Sequence, residues 1–244
     1  MKIGIIGAGN IGALVAKKLN AAGHQVKLAN SRGPESLADT VAGTGIEAVT
    51  AEAAVRDAEV IILSVPYAKN PELASVLAGA PTDAIVVDTS NYYPARDSKI
   101  ADVESGKPET VWASEQVGRP LVKAWNALLA QTLADAGTEP GTANRIAIPI
   151  SGDDDAAKSL VSDLVSITGF DTVDAGTLEE SWRLQPGTPA YCTELTAEEL
   201  KAALAAADKQ RAPKNRDAIM ASFSKPDAEF TRTIAVETNR SLSA

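Results

Sequence analysis

The sequence predicts an α/β protein with a doubly wound parallel sheet and a small helical C-terminal extension. The first observation is a glycine-rich turn, GAGNIG at 7–12, which follows a short apolar segment at 2–6 and precedes a helical pattern. The second is a series of short apolar runs separated by helical patterns, the arrangement of a parallel sheet. Right-handed crossovers between such strands place helices on both faces of the sheet.

The spacing G-x-G-x-x-G between a strand and a helix is typical of a Rossmann-type dinucleotide site. Gly7 permits the tight turn, Gly9 lets the backbone approach a pyrophosphate, and Gly12 lets helix and strand pack closely. Free backbone N–H groups and the helix dipole attract the phosphates. We therefore expect cofactor contacts at Gly7, Gly9, Asn10, Ile11 and Gly12. A glycine-rich turn without a ligand is the alternative.

The end of the second predicted strand, at 24–29, indicates which dinucleotide binds. A site selective for NAD places Asp or Glu there to bind the ribose 2′-hydroxyl, whereas this chain has Asn30, Ser31 and Arg32. A serine hydroxyl and an arginine fork suit the 2′-phosphate of NADP(H). Glu35 adds a negative charge nearby but can face away. An ordinary surface turn is the alternative.

The remaining apolar runs place further strands along the chain, at 60–66, 84–89, 121–126, 145–150 and 170–175. A helix is predicted at about 154–168 with Asp153 as its N-cap, because acidic residues complement a helix N-terminus. Thr177 and Thr196 each open a capping-box pattern before a helix, and the second of these helices should end at about residue 208.

The carboxyl ends of three predicted strands carry further candidate contacts, because ligands bind outside these ends in doubly wound sheets. Ser64, Val65 and Pro66 should lie beside the nicotinamide half of the cofactor. Asn91 and Asn126 follow the next two strands and should face the same crevice. For each loop the alternative is a capped turn without a ligand.

Composition and charge exclude several classes of partner. The chain has 244 residues, 45% of them hydrophobic, which is enough for one α/β domain with a modest extension. Its net charge of −9 argues against nucleic acid and an anionic membrane, because both require a basic surface. No apolar run approaches the roughly 18 residues of a membrane span. Met1 leads into a strand without a signal peptide, so we expect a cytoplasmic protein.

The chain contains one histidine and one cysteine, which limits metal and nucleophile chemistry. These two residues cannot supply a zinc cluster, so no metal site is predicted. His24 lies at a predicted helix-to-strand turn, away from the strand ends that carry ligands. Cys192 has no histidine beside it in the sequence to activate it. We therefore interpret both residues as structural.

Together these motifs resemble the coenzyme F420-dependent NADP reductases, which share a nucleotide-binding domain with the membrane metalloreductases of mammals. The matching segments span about 1–183 and are GAGNIG at 7–12, NSR at 30–32, VP at 65–66, VKAWN at 122–126, SGDDDAAK at 151–158 and DAGTL at 174–178. The resemblance implies a homodimer and a C-terminal part that helps to form a second pocket. It implies NADPH contacts at Gly9, Asn10, Ile11, Ser31, Arg32, Val65 and Pro66.

The C-terminal part of the chain departs from that family. Beyond Trp182 it carries QPGTPAYC at 185–192 and a tail of about fifty residues, where the short reductases end in a simple apolar helix. We expect 1–183 to form the NADP-binding domain. We expect 184–244 to form an extension that shapes the second pocket and contributes to a dimer interface. Because that pocket receives the acceptor, the sequence leaves the acceptor open.

Three functions fit these residues. The first is hydride transfer between NADP(H) and a second ligand stacked on the nicotinamide, such as deazaflavin coenzyme F420 or a flavin, whose ring needs little acid catalysis. The second is reduction of a small carbonyl or imine compound, which requires a proton donor, and the candidates are Tyr67, Tyr92, Tyr93 and Lys123. The third is a protein that binds NADPH without turnover. The expected partner is a small-molecule substrate or a second redox cofactor.

Overall fold

The computed structural model describes residues 1–224 and 229–244. A parallel six-stranded sheet forms its centre, with the strand order β3-β2-β1-β4-β5-β6. These strands are β1 Lys2–Ile6, β2 Gln25–Ala29, β3 Glu47–Ala48, β4 Val60–Leu63, β5 Ile85–Asp88 and β6 Leu121–Lys123. The strand order reverses between β1 and β4, as in the doubly wound sheet that the sequence predicts.

Helices cover both faces of the sheet and form the C-terminal extension. The α-helices are α1 Asn10–Ala21, α2 Ala38–Val41, α3 Ala51–Val55, α4 Ala74–Leu77, α5 Pro94–Asp97, α6 Ala101–Glu104, α7 Glu109–Val117, α8 Ala130–Asp135, α9 Asp155–Ile167, α10 Ala197–Ala206, α11 Ala212–Phe223 and α12 Arg232–Ser243. Short 3₁₀ helices lie at Pro34–Leu37, Tyr67–Leu73 and Leu178–Leu184. In α1, Val15 and Leu19 are buried one turn apart, which fixes the face that packs on the sheet.

Two strands form a separate sheet, which corrects the expectation that they extend the central one. β7 Ala147–Ile150 and β8 Asp171–Asp174 pair in parallel with each other. β7 meets β6 at a single antiparallel bridge, where Lys123 and Ser151 exchange backbone hydrogen bonds of 2.8 and 3.1 Å. The next residue of β7 that would donate to β6 is Pro149, two positions before Ser151. Proline has no backbone N–H, so the ladder with β6 does not continue.

Two apolar clusters fill the two faces of the central sheet. Consecutive residues of β4 alternate between them, with Ile62 in one cluster and Ile61 in the other, because successive side chains of a strand point to opposite faces. The first cluster includes Phe170 and packs α1 and α9 onto the sheet. The second contains the aromatic side chains of Tyr67 and Trp112. Burial on both faces explains why the strands read as near-continuous apolar runs.

The C-terminal extension packs closely against the preceding chain. Leu200 and Leu204 of α10 join Ala147 and Val173 of the small sheet in one buried cluster. Glu194 anchors α12, since both its carboxylate oxygens accept from the Arg232 guanidinium, at 2.6 and 2.8 Å. Residues of the extension therefore share a core with β7 and β8.

The structure confirms the predicted capping boxes and corrects the predicted N-cap of α9. Both predicted capping boxes form, at Thr177 and Thr196, and α10 ends two residues earlier than expected. The N-cap of α9 is Asp154, whose Oδ1 accepts from the N–H groups of two first-turn residues, and not Asp153. Asp153 instead accepts from the backbone N–H of Leu178 at 2.9 Å, because the turn aims its side chain across to the next segment.

One strand has no counterpart in the sequence analysis. β3 consists of two residues, Glu47 and Ala48, which pair with Lys27 and Leu28 of β2. So short a strand has no periodicity in its side chains, and its pairing depends on β2 being already in place.

Candidate functional site

The glycine-rich turn joins β1 to α1 with no room for side chains at two positions. Gly7 has a φ of 108°, in the left-handed region, and a Cβ added to it would lie 2.0 Å from the carbonyl oxygen of Ser64. A Cβ on Gly12 would lie 2.0 Å from the carbonyl oxygen of Gly7. These two glycines are therefore required by the close approach of β1, β4 and α1.

Gly9 is different, because a Cβ on it would meet nothing within 4 Å. It is the N-cap of α1 and has an extended backbone. No side chain of the described residues caps the first turn of this helix, and that turn contains no acidic residue. Asn10 is exposed and Ile11 is half-buried at its start. The turn thus offers open space in front of uncapped N–H groups, which fits a phosphate group.

The turn after β2 presents Ser31 and Arg32 to solvent. Asn30 holds this turn together: its Oδ1 accepts from the backbone N–H of Arg32 at 3.0 Å, and its amide bonds the Ser36 hydroxyl at 2.9 Å. Within residues 1–224 and 229–244, the Arg32 guanidinium has no ion-pair or hydrogen-bond partner. The amide of Asn30 is committed to the fold, whereas the Arg32 charge is available to an anion.

A cavity of about 640 Å³ brings most of the predicted cofactor residues together. Its volume lies within the usual range for ligand pockets. The predicted residues that line it are Gly7, Gly9, Asn30, Ser31, Arg32, Ser64, Val65 and Pro66. Lys69 and Glu72 also line it and form an ion pair of 2.6 Å. These two residues are not among the predicted contacts, although their i, i+3 spacing directly after the strand-end loop favours such a pair.

Asn91 and Asn126 meet at the carboxyl edge of the sheet, outside the lining of this cavity. The Asn126 side-chain amide donates to Asn91 Oδ1 at 3.0 Å, and the Asn91 amide donates to the backbone oxygen of Asn126 at 2.9 Å. Trp125, with a φ of 54°, turns the chain at the end of β6 just before Asn126. Asn126 Oδ1 is buried and has no hydrogen-bond partner in the described part of the chain. The hydrogen-bonding capacity of this oxygen is therefore unused among the described residues.

Lys123, a candidate proton donor, is part of the interior of the protein. Its side chain is fully buried and its Nζ lies 2.7 Å from Oδ2 of Asp88, the residue beside it in the sheet. It also donates to the backbone oxygen of Ser90. Both contacts of the ammonium group join the end of β6 to the end of β5 and the loop after it. The structure therefore argues against a catalytic role for Lys123.

Tyr67 and Tyr92 are also removed from the cavity. Neither side chain has exposed surface. The Tyr67 hydroxyl donates to the backbone oxygen of Glu109 at 2.7 Å, and the Tyr92 hydroxyl accepts from the backbone N–H of Ile100 at 3.1 Å. Burial raises the pKa of both phenols. Because both hydroxyls are committed within the core, the structure argues against both as proton donors.

A second, larger cavity of about 800 Å³ lies between the loop after β5 and helices α11 and α12. Tyr93 and Tyr191 both line it, with their hydroxyl oxygens 2.7 Å apart. The Asn91 side-chain amide donates to the Tyr191 hydroxyl at 3.3 Å. Sequence reasoning considered Tyr93 but missed Tyr191, which lies 98 positions further along the chain.

Cys192 and His24 have structural surroundings. Burial raises the pKa of the Cys192 thiol to about 12, which keeps it protonated. Its backbone N–H donates to the oxygen of Ala127 at 3.0 Å. His24 lies at the turn before β2, and Met1 N is 3.4 Å from its Nδ1. In the residues that the structure describes, no three or more His, Cys, Asp or Glu side chains group as metal ligands. No helix among those residues has the length and apolar character of a membrane span.

The doubly wound sheet, the glycine-rich turn and the cavity beside it define a Rossmann-type dinucleotide-binding protein. Residues 2–92 match the family model described as NADP oxidoreductase, coenzyme F420-dependent. The chain belongs to this family, which places it among the NAD(P)-dependent oxidoreductases.

Two relatives are similar to this chain over most of their own length. Putative protein YjhV of Escherichia coli (strain K12) is 36% identical over 102 residues, which cover 42% of this chain and 74% of that protein. The hypothetical protein SMa0349 from Sinorhizobium meliloti has a solved structure with a TM-score of 0.69 and 34% identity, over 80% of this chain and 95% of that one.

A third relative is a longer protein. Metalloreductase STEAP3 of Rattus norvegicus is 32% identical over 180 residues, which cover 72% of this chain. The chain spans 34% of the length of that metalloreductase.

Proposed function

We propose that this protein is an NADPH-dependent oxidoreductase that transfers a hydride between NADP(H) and a second ligand. The observation that carries the proposal is the cavity at the glycine-rich turn, which combines a helix N-terminus and an Arg32 guanidinium that both lack a side-chain partner among the described residues. An anion-binding turn and a cation at the end of β2 suit the pyrophosphate and the 2′-phosphate of the same molecule.

Each part of the site has an assigned role in this proposal. The pyrophosphate is bound at Gly7, Gly9, Asn10, Ile11 and Gly12. The phosphorylated ribose contacts a turn formed by Asn30, Ser31 and Arg32. The nicotinamide half lies along Ser64, Val65, Pro66, Asn91 and Asn126. The buried Oδ1 of Asn126 supports the last assignment, because a carboxamide N–H group would satisfy it.

The chain itself has to orient two ligands and exclude water between them. When bound, the reduced nicotinamide would supply the hydride, and the residues of the site would orient it towards the acceptor. We propose that residues 1–183 bind the nucleotide and that 184–244 shape the acceptor pocket. The family favours deazaflavin coenzyme F420 or a flavin as the acceptor. A homodimer, which the family resemblance implies, and a cytoplasmic location are further proposals.

A small carbonyl or imine compound is a second candidate acceptor. The observation that favours it is the Tyr93–Tyr191 hydroxyl pair on the wall of the larger cavity, since reduction of these groups needs a proton donor within hydrogen-bond reach. Deazaflavin or flavin reduction would make little use of such a pair.

Calorimetry of the purified chain with NADPH and NADH, followed by turnover assays, tests the proposal. We expect NADPH to bind more tightly than NADH, and its absorbance to fall when an acceptor is added. The acceptors to compare are coenzyme F420, FMN and a set of ketones and imines. An absence of binding heat with both nucleotides would refute the proposal. Tight binding of NADPH without turnover of any acceptor would leave the protein as a nucleotide-binding module.

A further inference from the structure

The larger cavity has the composition of a small-molecule site. The extension contributes most of its wall, with apolar side chains that include Ile219, Phe223 and Ala235, and Leu129 contributes from the preceding part of the chain. Its volume of about 800 Å³ is ample for a small organic ligand. Such a wall favours a ligand with an apolar body.

A chain of hydrogen bonds leads from the strand ends into this cavity. The Asn126 side-chain amide donates to Asn91, and the Asn91 amide donates to the Tyr191 hydroxyl. In the contact between Tyr191 and Tyr93, either hydroxyl can be the donor. When Tyr191 donates, the hydrogen of Tyr93 has no acceptor in the described part of the protein and is available to a ligand oxygen.

The cavity wall also contains a polar atom, Oδ1 of Asn239, that lacks a hydrogen-bond partner among the described residues. Asn239 of α12 lines the cavity and is 4% exposed. Its side-chain amide donates to the backbone oxygen of Ala235 at 2.8 Å, which fixes the orientation of the amide group. Its Oδ1 has no hydrogen-bond partner within residues 1–224 and 229–244. A buried acceptor of this kind favours a ligand that carries a hydrogen-bond donor.

The charges on the wall are largely neutralised. The Arg96 guanidinium lies 2.8 Å from a carboxylate oxygen of Asp97, and that of Arg216 lies 2.8 Å from Asp217. The remaining cation, Lys99, is exposed to solvent. A site with paired charges and apolar walls favours an uncharged ligand over an anionic one.

We propose that this cavity binds an uncharged, apolar compound that carries a carbonyl group and a hydrogen-bond donor, with the carbonyl oxygen accepting from Tyr93 and the donor group bonding Asn239. This inference deepens the proposed function and rests on it, because the carbonyl compound would be the hydride acceptor. It names the acceptor pocket, its polar contacts and its ligand class.

Reduction of the carbonyl compound would use the reduced nicotinamide as the reductant. A hydride supplied by the bound nicotinamide would add to the carbonyl carbon, the π electron pair would move to the oxygen, and the oxygen would take the proton of Tyr93. The carbonyl compound would thus become an alcohol by two-electron reduction, and Tyr93 would regain a proton from solvent. A phenol is protonated at neutral pH, and burial raises the pKa of Tyr93 further.

Three matched probes test the two polar contacts: 4-hydroxyacetophenone, acetophenone, which lacks the hydroxyl, and 4-ethylphenol, which lacks the carbonyl. Binding to the full chain is measured by calorimetry with and without NADP⁺. We expect 4-hydroxyacetophenone to bind most tightly. Tyr93→Phe should weaken both ketones roughly five-fold and leave 4-ethylphenol unchanged. Asn239→Leu should weaken the two phenols and leave acetophenone unchanged.

A spectroscopic measurement and a control variant separate hydrogen bonding from packing. Acetophenone labelled with ¹³C at the carbonyl should show a bound resonance that lies further downfield in the wild type than in Tyr93→Phe. Tyr92→Phe removes a hydroxyl outside the cavity and should leave all three affinities unchanged. The inference is overturned if the ketones do not bind saturably, or if Tyr93→Phe changes ketone and phenol affinities equally. If the probes bind as expected and NADPH does not, the proposed function fails while the cavity assignment stands.

Discussion

The Nζ atom of Lys123 lies 2.7 Å from Oδ2 of Asp88 on the neighbouring strand, and neither side chain has exposed surface. Asp88 Oδ1 accepts from both the backbone N–H and the hydroxyl of Ser90, at 2.9 and 2.6 Å. Lys123 bonds the carbonyl oxygen of the same serine. The ion pair therefore fixes the loop that leads from β5 to Asn91.

Removal of one member of this pair should destabilise the protein strongly. Lys123→Met leaves the Asp88 carboxylate buried without a counter-charge, which costs about 3–5 kcal/mol of unfolding free energy. The measurement is urea unfolding followed by circular dichroism. Lys123→Met combined with Asp88→Asn should lose less than Lys123→Met alone, because no charge is then left unpaired. Equal losses in the two variants would contradict this interpretation.

Arg32→Ala should weaken NADPH far more than NADH. We expect a loss of about 1.5–3 kcal/mol for NADPH, because the guanidinium would make charge-assisted contacts to a phosphate that NADH lacks. Calorimetric titration with each nucleotide measures the difference. Arg56→Ala, at an exposed arginine at the end of α3, is the matched control and should change neither affinity. Equal wild-type affinities for NADPH and NADH would refute the assignment.

Gly9→Ala and Gly12→Ala should separate nucleotide binding from folding. A methyl group at Gly9 projects into open space and its backbone suits alanine, so the unfolding free energy should be nearly unchanged. The same methyl group would block close approach of phosphates and weaken NADPH by roughly ten-fold or more. Gly12→Ala forces a clash with the backbone of Gly7 and should lower the thermal midpoint. A Gly9→Ala variant with wild-type affinity would show that the pyrophosphate does not lie there.

The stability of the protein should fall as pH rises through the range in which Glu109 titrates. Burial raises the pKa of Glu109 from 4.5 to about 7, and the positive charge of Lys123 offsets part of this effect. Its Oε2 accepts from the backbone N–H of Tyr92 at 2.9 Å, and Arg216 and Asp88 also act on it electrostatically. The folded state therefore holds a proton that the unfolded state releases between these two pH values. This contribution is fully present below the lower value and lost above the upper one.

Glu109→Gln tests this linkage, because glutamine is neutral at every pH and keeps an acceptor for Tyr92. Relative to wild type, the variant should gain roughly 3 kcal/mol of unfolding free energy between about pH 4 and pH 8. Urea unfolding at both pH values measures the gain. A difference between variant and wild type that does not change with pH would disprove the shifted titration.

Local sequence patterns predicted most of the fold, including the glycine-rich turn between β1 and α1. The glycine-rich turn is a contiguous motif whose spacing is dictated by one strand, one turn and one helix, so its geometry follows from neighbouring residues. The capping boxes at Thr177 and Thr196 are equally local and form as expected. Local patterns did not predict that β7 and β8 form a separate sheet. That arrangement depends on how β7 contacts β6, which is distant from it in the sequence.

The surroundings of the candidate proton donors could not be predicted from residue type, because they depend on tertiary contacts. Tyr67, Tyr92 and Tyr93 are alike in the sequence, yet the first two bond backbone groups in the core and the third lines a cavity. Their environments are set by α7, α6 and the extension, none of which is adjacent in the sequence to all three.

The sequence by itself determined the doubly wound sheet and the glycine-rich turn, because strand periodicity, turn chemistry and helix caps act over a few residues. Only the tertiary structure decided that Lys123 is an interior ion-pair partner and that Tyr93 meets Tyr191 in a second cavity. These contacts join residues 35 and 98 positions apart. Their formation depends on the burial and packing of whole elements, which local patterns do not encode.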